Sequence, residues 1–530
     1  MRILSTALMV GGMAFGAISP ALAQTPKTTL VLADKIDDIV SIDPHESFEF
    51  SGSNIIHNVY DQLFALDPMN PGQGFKPGLV ERYTLSDDGL VYTFKLREGV
   101  KFHSGNDLTA ADAVYSLQRA IRINKTPAFI LKNFGLKPEN VAEVIKQTGP
   151  HEFTLKVDKP YAPSFVLNCL TAMIASVVDS KLVQQNAGND EGNTWLKQNS
   201  AGSGAFRLVR FQPSESYTLE RNPNWWRHKT QIQRVVMRHI PEPSAQRLQL
   251  ERGDIDVANV LQPQDIEALR QNKNIKVVDT LKGYIGYVVL NQKHPILSKP
   301  KVVEAVKYLI DYEGMHNSFL RGQYVVHQTF LPRTFLGELN ATPYKLDVAK
   351  AKQLLAEAGH PNGFEVTLDV GNVFPFLDVA QSIQSTFGQA GIKVNIVPAE
   401  RRQVLTKYRA RNHEMLIQQW GPDYSDPHTN ADTFTSNPDN SDAGNNVGKL
   451  AWRTAWDIPD LTKLTEAAVL ERDTNKRVQM YHQLQQEVLQ RGPFAIINQQ
   501  IAQSGVRNNV DGFIYGAPVM PAVYWLTTKQ

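Results

Sequence analysis

A single cysteine, Cys169, stands in a chain of 530 residues. One thiol excludes an intramolecular disulfide and any zinc site built on cysteine pairs, and it leaves Cys169 to pack as a small apolar side chain. Long apolar runs are scarce too. Beyond the first two dozen residues no stretch reaches the ~18 apolar positions that a membrane-spanning helix requires. Nor does charge of one sign dominate. The 55 basic and 53 acidic residues leave a net charge of only +2, spread along the chain, so no basic stripe for nucleic acid forms. Local catalytic signatures are missing as well: there is no Walker loop, no His-Glu-x-x-His helix, no Gly-x-Ser-x-Gly elbow and no Cys-x-x-Cys pair, and Gly202-Ser203-Gly204 lacks the third glycine of a dinucleotide loop. The expectation is a protein that is not an enzyme and carries no cofactor or metal. Scattered catalytic groups leave no local motif, so an enzyme stays open as a distant alternative, and turnover of a ligand distinguishes it.

What is present begins with Met1 and Arg2, an apolar stretch from Leu4 through Val10, and the small-residue exit Ala21-Leu22-Ala23. This is the pattern of a secretory signal, residues 1–23, cut before Gln24. The apolar run is short and broken by Gly11, Gly12 and Gly16, which argues against a retained anchor, and no cysteine near the cut offers a site for lipid. Removing 23 of the 530 residues leaves 507, too many for one hydrophobic core, so two or three folding units are expected. A content of 42% hydrophobic and 20% charged residues suits a soluble globular chain.

Strand and helix patterns alternate. Thr29 to Ala33 is a short apolar run that reads as a buried strand. After the turn Asp88-Gly89, Tyr92, Phe94 and Leu96 alternate with Thr93, Lys95 and Arg97, giving one buried and one wet face. Thr109 and Asp112 form a capping pair for a helix whose apolar face holds Ala113, Val114 and Leu117. Another helix starts at Asp347, carries Ala351, Leu354 and Leu355 on one stripe and stops at Gly359, and Phe364 to Leu368 follows as a strand. The fold class is α/β. Asn437 to Asn446 is a polar loop, and no internal repeat is found. His103 reads as a turn histidine bonded to backbone, and Asp254 with Asp256 as an exposed turn entering a strand.

The stretch from Leu79-Val80-Glu81 through Asp88-Gly89, Tyr92 to Arg97, Gly99-Val100-Lys101-Phe102-His103-Ser104-Gly105 and Leu108 to Asp112 resembles the signature of the peptide/nickel class of bacterial extracellular solute-binding proteins, family 5. Four later segments agree with it in order: Gly202 to Phe206 with Leu219 to Pro223, Gly253 to Asp256, Ala349 to Gly359, and Trp420-Gly421-Pro422-Asp423-Tyr424. The resemblance covers essentially the whole mature chain. It implies a periplasmic-binding-protein-like fold of two ligand-closing lobes plus an inserted third domain. By that analogy one lobe takes residues 24–60, 202–285 and 500–530, the inserted domain 61–201, and the other lobe 286–499. It also implies a monomer in the periplasm of a Gram-negative cell, a small-molecule or short-peptide ligand, and an ABC permease with its ATPase subunits as partners. A chaperone-like or signalling use of the fold is a further alternative, marked by binding to unfolded chains or a receptor.

The resemblance also implies a site. Peptide-binding relatives pair an aspartate at the position of Asp423 with the ligand's amino group; a turn cap is the plainer reading of Asp423. Trp420 offers a flat apolar wall or packs in the core, and Tyr424 belongs to the same segment. Phe50-Ser51-Gly52-Ser53 resembles the loop that meets the ligand's backbone, with Ser51 and Gly52 at the approach. Two departures stand out. Dipeptide binders place a carboxylate-binding arginine where this chain has Phe374, before Pro375, and longer-peptide binders place a basic residue where it has Ile417-Gln418-Gln419. Arg401 either takes over the carboxylate with its planar fork or is a solvated arginine of the Glu400-Arg401-Arg402 run. A short peptide is therefore the first reading of the cargo, and an oligosaccharide, an opine-like conjugate or a metal chelate is the alternative. The intact mass of the secreted protein is expected to start at Gln24; an uncleaved or acylated N-terminus overturns this.

Overall fold

The computed structural model describes residues 25–515 and 519–530, and the expected signal segment 1–23 lies outside them. Among the described residues the main sheet has eleven strands. From one edge they run Lys393–Ala399, Glu365–Gly371, Met415–Trp420, Ile275–Leu290, Phe494–Arg507, Val257–Ala258, Thr29–Asp34, Arg234–His239, Ser216–Arg221 and Phe206–Gln212. The short strand Tyr324–Val326 pairs with Phe494–Arg507 off this path.

Two strands are unusually long, 16 and 14 residues, and they pair antiparallel from Ile275 opposite Arg507 to Val289 opposite Phe494. One end of this ribbon borders Val257–Ala258 and the other borders Met415–Trp420. The two halves of the sheet thus share these two strands, and each half has its own apolar core. In the first, Leu30, Leu32, Leu219 and Val235 pack with Ile55, Ile56 and Val59 of the helix Phe50–Val59. In the second, Val288, Leu290, Val366 and Leu368 lie under Val302, Val306, Leu354 and Leu355. Each such side chain contributes about 1.5–3 kcal/mol by leaving water.

Thr29–Asp34 is a continuous apolar run because it lies inside the sheet with parallel neighbours on both sides, Arg234–His239 and Val257–Ala258. Between the first two strands of this half in sequence, a separate four-stranded antiparallel sheet is inserted: Val80–Leu85, Val91–Leu96, Glu152–Lys156 and Ile145–Gly149. There the period-2 pattern is realised, with Tyr92, Phe94 and Leu96 fully buried against Phe153 and Leu155. The helix Ala110–Ile123 begins as its capping pair dictates: the Thr109 N–H and hydroxyl both donate to Asp112 at 2.9 Å. Asp347 caps Val348–Glu357 through the Lys350 N–H at 2.8 Å. His103 sits in its turn with Nε2 3.0 Å from the Gly204 carbonyl, and Cys169 is buried in the inserted core.

One expectation is corrected. Asp256 does enter the strand Val257–Ala258, but it is fully buried rather than exposed. Its carboxylate lies 2.9 Å from the Lys529 Nζ and accepts the Val31 N–H at 2.9 Å and the Thr25 hydroxyl at 2.5 Å, tying the first strand to the C-terminus. An ion pair this dry is strongly destabilising to halve, because the remaining charge has neither water nor a partner. Lys529→Ala is therefore expected to lower unfolding free energy by about 3 kcal/mol, whereas the paired change Asp256→Asn with Lys529→Met recovers most of it. Urea unfolding of the two variants checks this, and a single variant as stable as the parent overturns it.

Candidate functional site

A cavity of about 380 Å³ lies where five parts of the chain meet. The helix Phe50–Val59 contributes one face, since Phe50, Ser53, Asn54 and His57 recur every three or four residues. The inserted region contributes Ile130 and Thr171 to Ile174. The C-terminal segment contributes Tyr515 and Val519 to Pro521. The other two parts come from the sheet itself, and they carry its charged groups.

The first of these is an irregularity in the long ribbon. Between the pairs Leu281–Ile501 and Ile285–Gln499 the register shifts, so Lys282, Gly283 and Tyr284 stand opposite Gln500 alone. Extra residues in one strand of a pair bend it and re-aim its side chains. Here Lys282 and Tyr284 are both delivered to the cavity, while the Gln499 side-chain amide donates to the Lys282 carbonyl at 2.7 Å and holds the bulge in place. The second is the loop leaving Met415–Trp420, whose last residue pairs with Ile285. Gly421 lets it pass the bulge closely: a Cβ there would stand 2.4 Å from the Tyr284 ring.

This loop is rigidly held. Trp420 Nε1 donates to Asn430 Oδ1 at 3.2 Å, which fixes the indole as a cavity wall. The Asp423 N–H donates to Thr429 Oγ1 at 3.0 Å. Tyr424 is buried, meeting Phe165 edge-on at 6.0 Å within the inserted core, so its main contact is packing although it borders the cavity. Just beyond, Asp426 and Arg477 form a bidentate pair at 2.7 and 2.8 Å, both fully buried, and Arg477 also donates to Ser164 Oγ at 2.9 Å. The loop is thereby bolted to the helix Thr474–Arg491 and to the inserted region together.

Asp423 and Lys282 are the carboxylate and the ammonium among the described cavity-lining residues, and neither pairs with an oppositely charged group within 4 Å there. Burial alone pushes the Asp423 carboxyl up to about 7. Burial holds the Lys282 ammonium down to about 8, partly offset by the charge of Asp34, and its Nζ sits 4.7 Å from the centre of the Tyr515 ring. His57 is kept neutral, pushed down to about 3 by burial and by Arg227, with both ring nitrogens lacking a hydrogen-bond partner among the described residues. No cluster of three or more His, Cys, Asp or Glu fit for a metal occurs among the described residues.

The other expected site residues lie elsewhere. Phe50 to Ser53 form the first turn of a helix, not a loop. Phe50 and Ser53 reach the cavity, but Ser51 turns away to donate to Asp38, and Gly52 makes room for Ser47, whose Oγ would lie 2.4 Å from a Cβ. Phe374 is exposed and borders no part of the cavity. Arg401 opens the helix Arg401–Arg409 with its guanidinium 5.5 Å from the Phe376 ring, outside the lining. Sequence reasoning missed Lys282 and Tyr284. The signal was available: Gly283 and Gly286 interrupt an apolar strand, and glycine within a strand marks a bulge.

A mixed sheet in two halves, joined by a two-stranded ribbon with a charged cavity at the join, is an arrangement suited to holding a small solute. The model of the bacterial extracellular solute-binding proteins, family 5, matches residues 74–442, and the chain belongs to that family. Among curated relatives it is 26% identical over 515 residues to the probable D,D-dipeptide-binding periplasmic protein DdpA of Escherichia coli K12, covering 96% of each chain. It is 27% identical over 459 residues to the dipeptide-binding protein of the same strain, covering 83% of each. The fold matches HbpA2 of Haemophilus parasuis with a TM-score of 0.81 at 23% identity, over 95% of this chain and 100% of that one. It also matches the dipeptide-binding protein of Pseudoalteromonas sp. SM9913 in complex with Met-Leu, with a TM-score of 0.77 at 22% identity, over 95% and 100%. No helix among the described residues is long and apolar enough to cross a membrane.

Asp423 has a cost for the empty protein. Its carboxyl ionises at about 3.9 in an unfolded chain and near 7 here, so its contribution to stability is intact below about pH 4 and lost as pH rises through 7. Asp423→Asn is accordingly expected to stabilise the ligand-free protein at pH 8 by roughly 2 kcal/mol, less than the full pKa difference implies because the group is only partly buried, and to leave it unchanged at pH 4. Urea unfolding at both pH values reads this directly; equal stability at pH 8 removes the premise that Asp423 is held dry and unpaired.

Proposed function

We propose that this chain is the periplasmic substrate-binding component of an ABC importer, and that it carries short peptides to a permease driven by separate ATPase subunits. The observation that carries the reading is the cavity itself: walled by Trp420, Tyr284 and Phe50, and holding a partly buried carboxylate with no cation within ion-pair distance. A buried carboxylate is costly until a cation compensates it, so Asp423 is suited to the ammonium of a peptide. The volume of about 380 Å³ is at the small end for ligand pockets, which favours a peptide of few residues. Two relatives named for dipeptides, among the proteins most like this one, support the same cargo. In this reading residues 24–60, 202–285 and 500–530 act as one lobe, 286–499 as the other, and 61–201 as the inserted domain. The protein works as a monomer, and cargo that touches both lobes shifts the balance toward the closed form. Its chemistry is capture and release of an unchanged ligand.

Native mass spectrometry of freshly purified protein is expected to release peptides of two or three residues; a retained sugar, opine or chelate of comparable abundance overturns the cargo. For a peptide so identified, Asp423→Asn is expected to weaken binding at least tenfold, as loss of a charge-assisted hydrogen bond does. Binding an ammonium lowers the Asp423 pKa from about 7, so affinity rises with pH between 5 and 7 and then levels off. Calorimetry across that range decides: a flat profile from pH 5 to 7 excludes Asp423 as the ammonium partner.

A further inference from the structure

We infer that Lys282 takes the carboxylate of the bound cargo, so that the ligand is a short zwitterion held between Lys282 and Asp423. This rests on the peptide reading and names the second half of its recognition. Arg401 and Phe374, the positions where the family resemblance implies a carboxylate partner or its replacement, lie outside the cavity lining, whereas Lys282 is part of it.

Three features of the geometry carry the assignment. Lys282 is the cationic side chain among the described lining residues, and Asp423 is the anionic one. Both leave the sheet from the same end of one residue pair: Ile285 stands opposite Trp420 in an antiparallel register, Lys282 lies three residues before Ile285, and Asp423 lies three residues after Trp420. They line one cavity of about 380 Å³ without forming an ion pair with each other, so the two charges stand apart across a small space, which suits the two ends of a peptide of few residues rather than of a long one. Third, the bulge delivers Lys282 to the cavity together with Tyr284. It removes Lys282 from the ladder, the Gln499 amide replaces the lost backbone pairing at the Lys282 carbonyl, and the ammonium is turned toward the cavity.

Its surroundings fit an anion that arrives from outside. The nearest acidic group is Asp34, which does not approach within ion-pair distance of the ammonium; it is occupied by the Lys35 N–H at 2.7 Å, the Tyr515 hydroxyl at 3.0 Å and the Asn259 amide at 3.1 Å. Burial pushes the Asp34 carboxyl up, which further lowers its value as a counterion. A ligand carboxylate at Lys282 supplies the close partner that the protein withholds, and does so in the same closure that brings the ligand's ammonium to Asp423.

The test offers an equimolar mixture of di- and tripeptides of alanine, leucine and phenylalanine to the mature protein, once with free C-termini and once as C-terminal amides, and reads bound mass by native mass spectrometry. The parent protein is expected to retain free acids over amides by at least tenfold. Lys282→Met is expected to lose that preference, Lys282→Arg to keep most of it, and Arg401→Gln to keep all of it. Amides retained as well as acids by the parent protein, or a preference that survives in Lys282→Met, overturns the role of Lys282 while leaving peptide binding standing. Failure to retain any peptide of either set overturns the peptide reading, and this assignment with it.

Discussion

The pairing of two long strands, Ile275–Leu290 with Phe494–Arg507, is the constraint on which the rest of the molecule depends. They are the strands common to both halves of the main sheet, so the position of each half relative to the other is set through them. A regular ribbon of this length would be a stiff spacer with every side chain committed to one of two faces. The break at Lys282 to Tyr284 changes that. It interrupts the regular ladder where the halves meet and presents two side chains to the cavity there, so the joint between the halves and the wall of the cavity are the same few residues.

Two carboxylates three residues apart show how the loop after Trp420 divides its work. Asp426 is fully buried and fully satisfied, with both oxygens on Arg477 and its neighbour Thr429 ordered around it. Breaking such a pair is expensive, and its worth lies in fixing where the loop runs. Asp423 is its opposite, held near by a backbone bond to Thr429 and left without a cation. The first makes the second possible, because an unpaired carboxylate stays in a dry place only when its backbone cannot swing it back to water.

What could be read from the residues followed the strength of the local pattern. Period-2 alternation in Val91–Leu96, the capping pair Thr109 and Asp112, and the cap Asp347 are local signals, and each element forms where they put it. Asp423 and Trp420 reach the cavity because a contiguous motif carries its own loop with it. The rest turns on contacts between residues far apart in sequence. The segment around Ser51 and Gly52 resembles a ligand loop in sequence, yet the helix begins at Phe50 and its rotation faces Phe50 and Ser53 to the cavity instead. The burial of Asp256 depends on Lys529, 273 residues away, which no window around Gly253 could reveal. Lys282 escaped notice for a similar reason: a lysine amid alternating residues reads as the wet face of a strand until the partner strand shows the break in register.

Placing one ionisable group of each sign in a cavity with large apolar walls has a consequence for selection. A neutral ligand of the right shape closes over Asp423 and Lys282 without compensating either, and a ligand with one charge leaves the other stranded; both pay the desolvation of an unpaired ion. A zwitterion of matching length removes both penalties at once. Discrimination then comes chiefly from what the cavity refuses, since apolar walls such as Trp420 and Tyr284 accept many side chains with similar energy. Tolerance of side-chain identity combined with strictness about the two ends is what a carrier of many different short peptides needs; the apolar walls supply the first and the two partly buried charges the second.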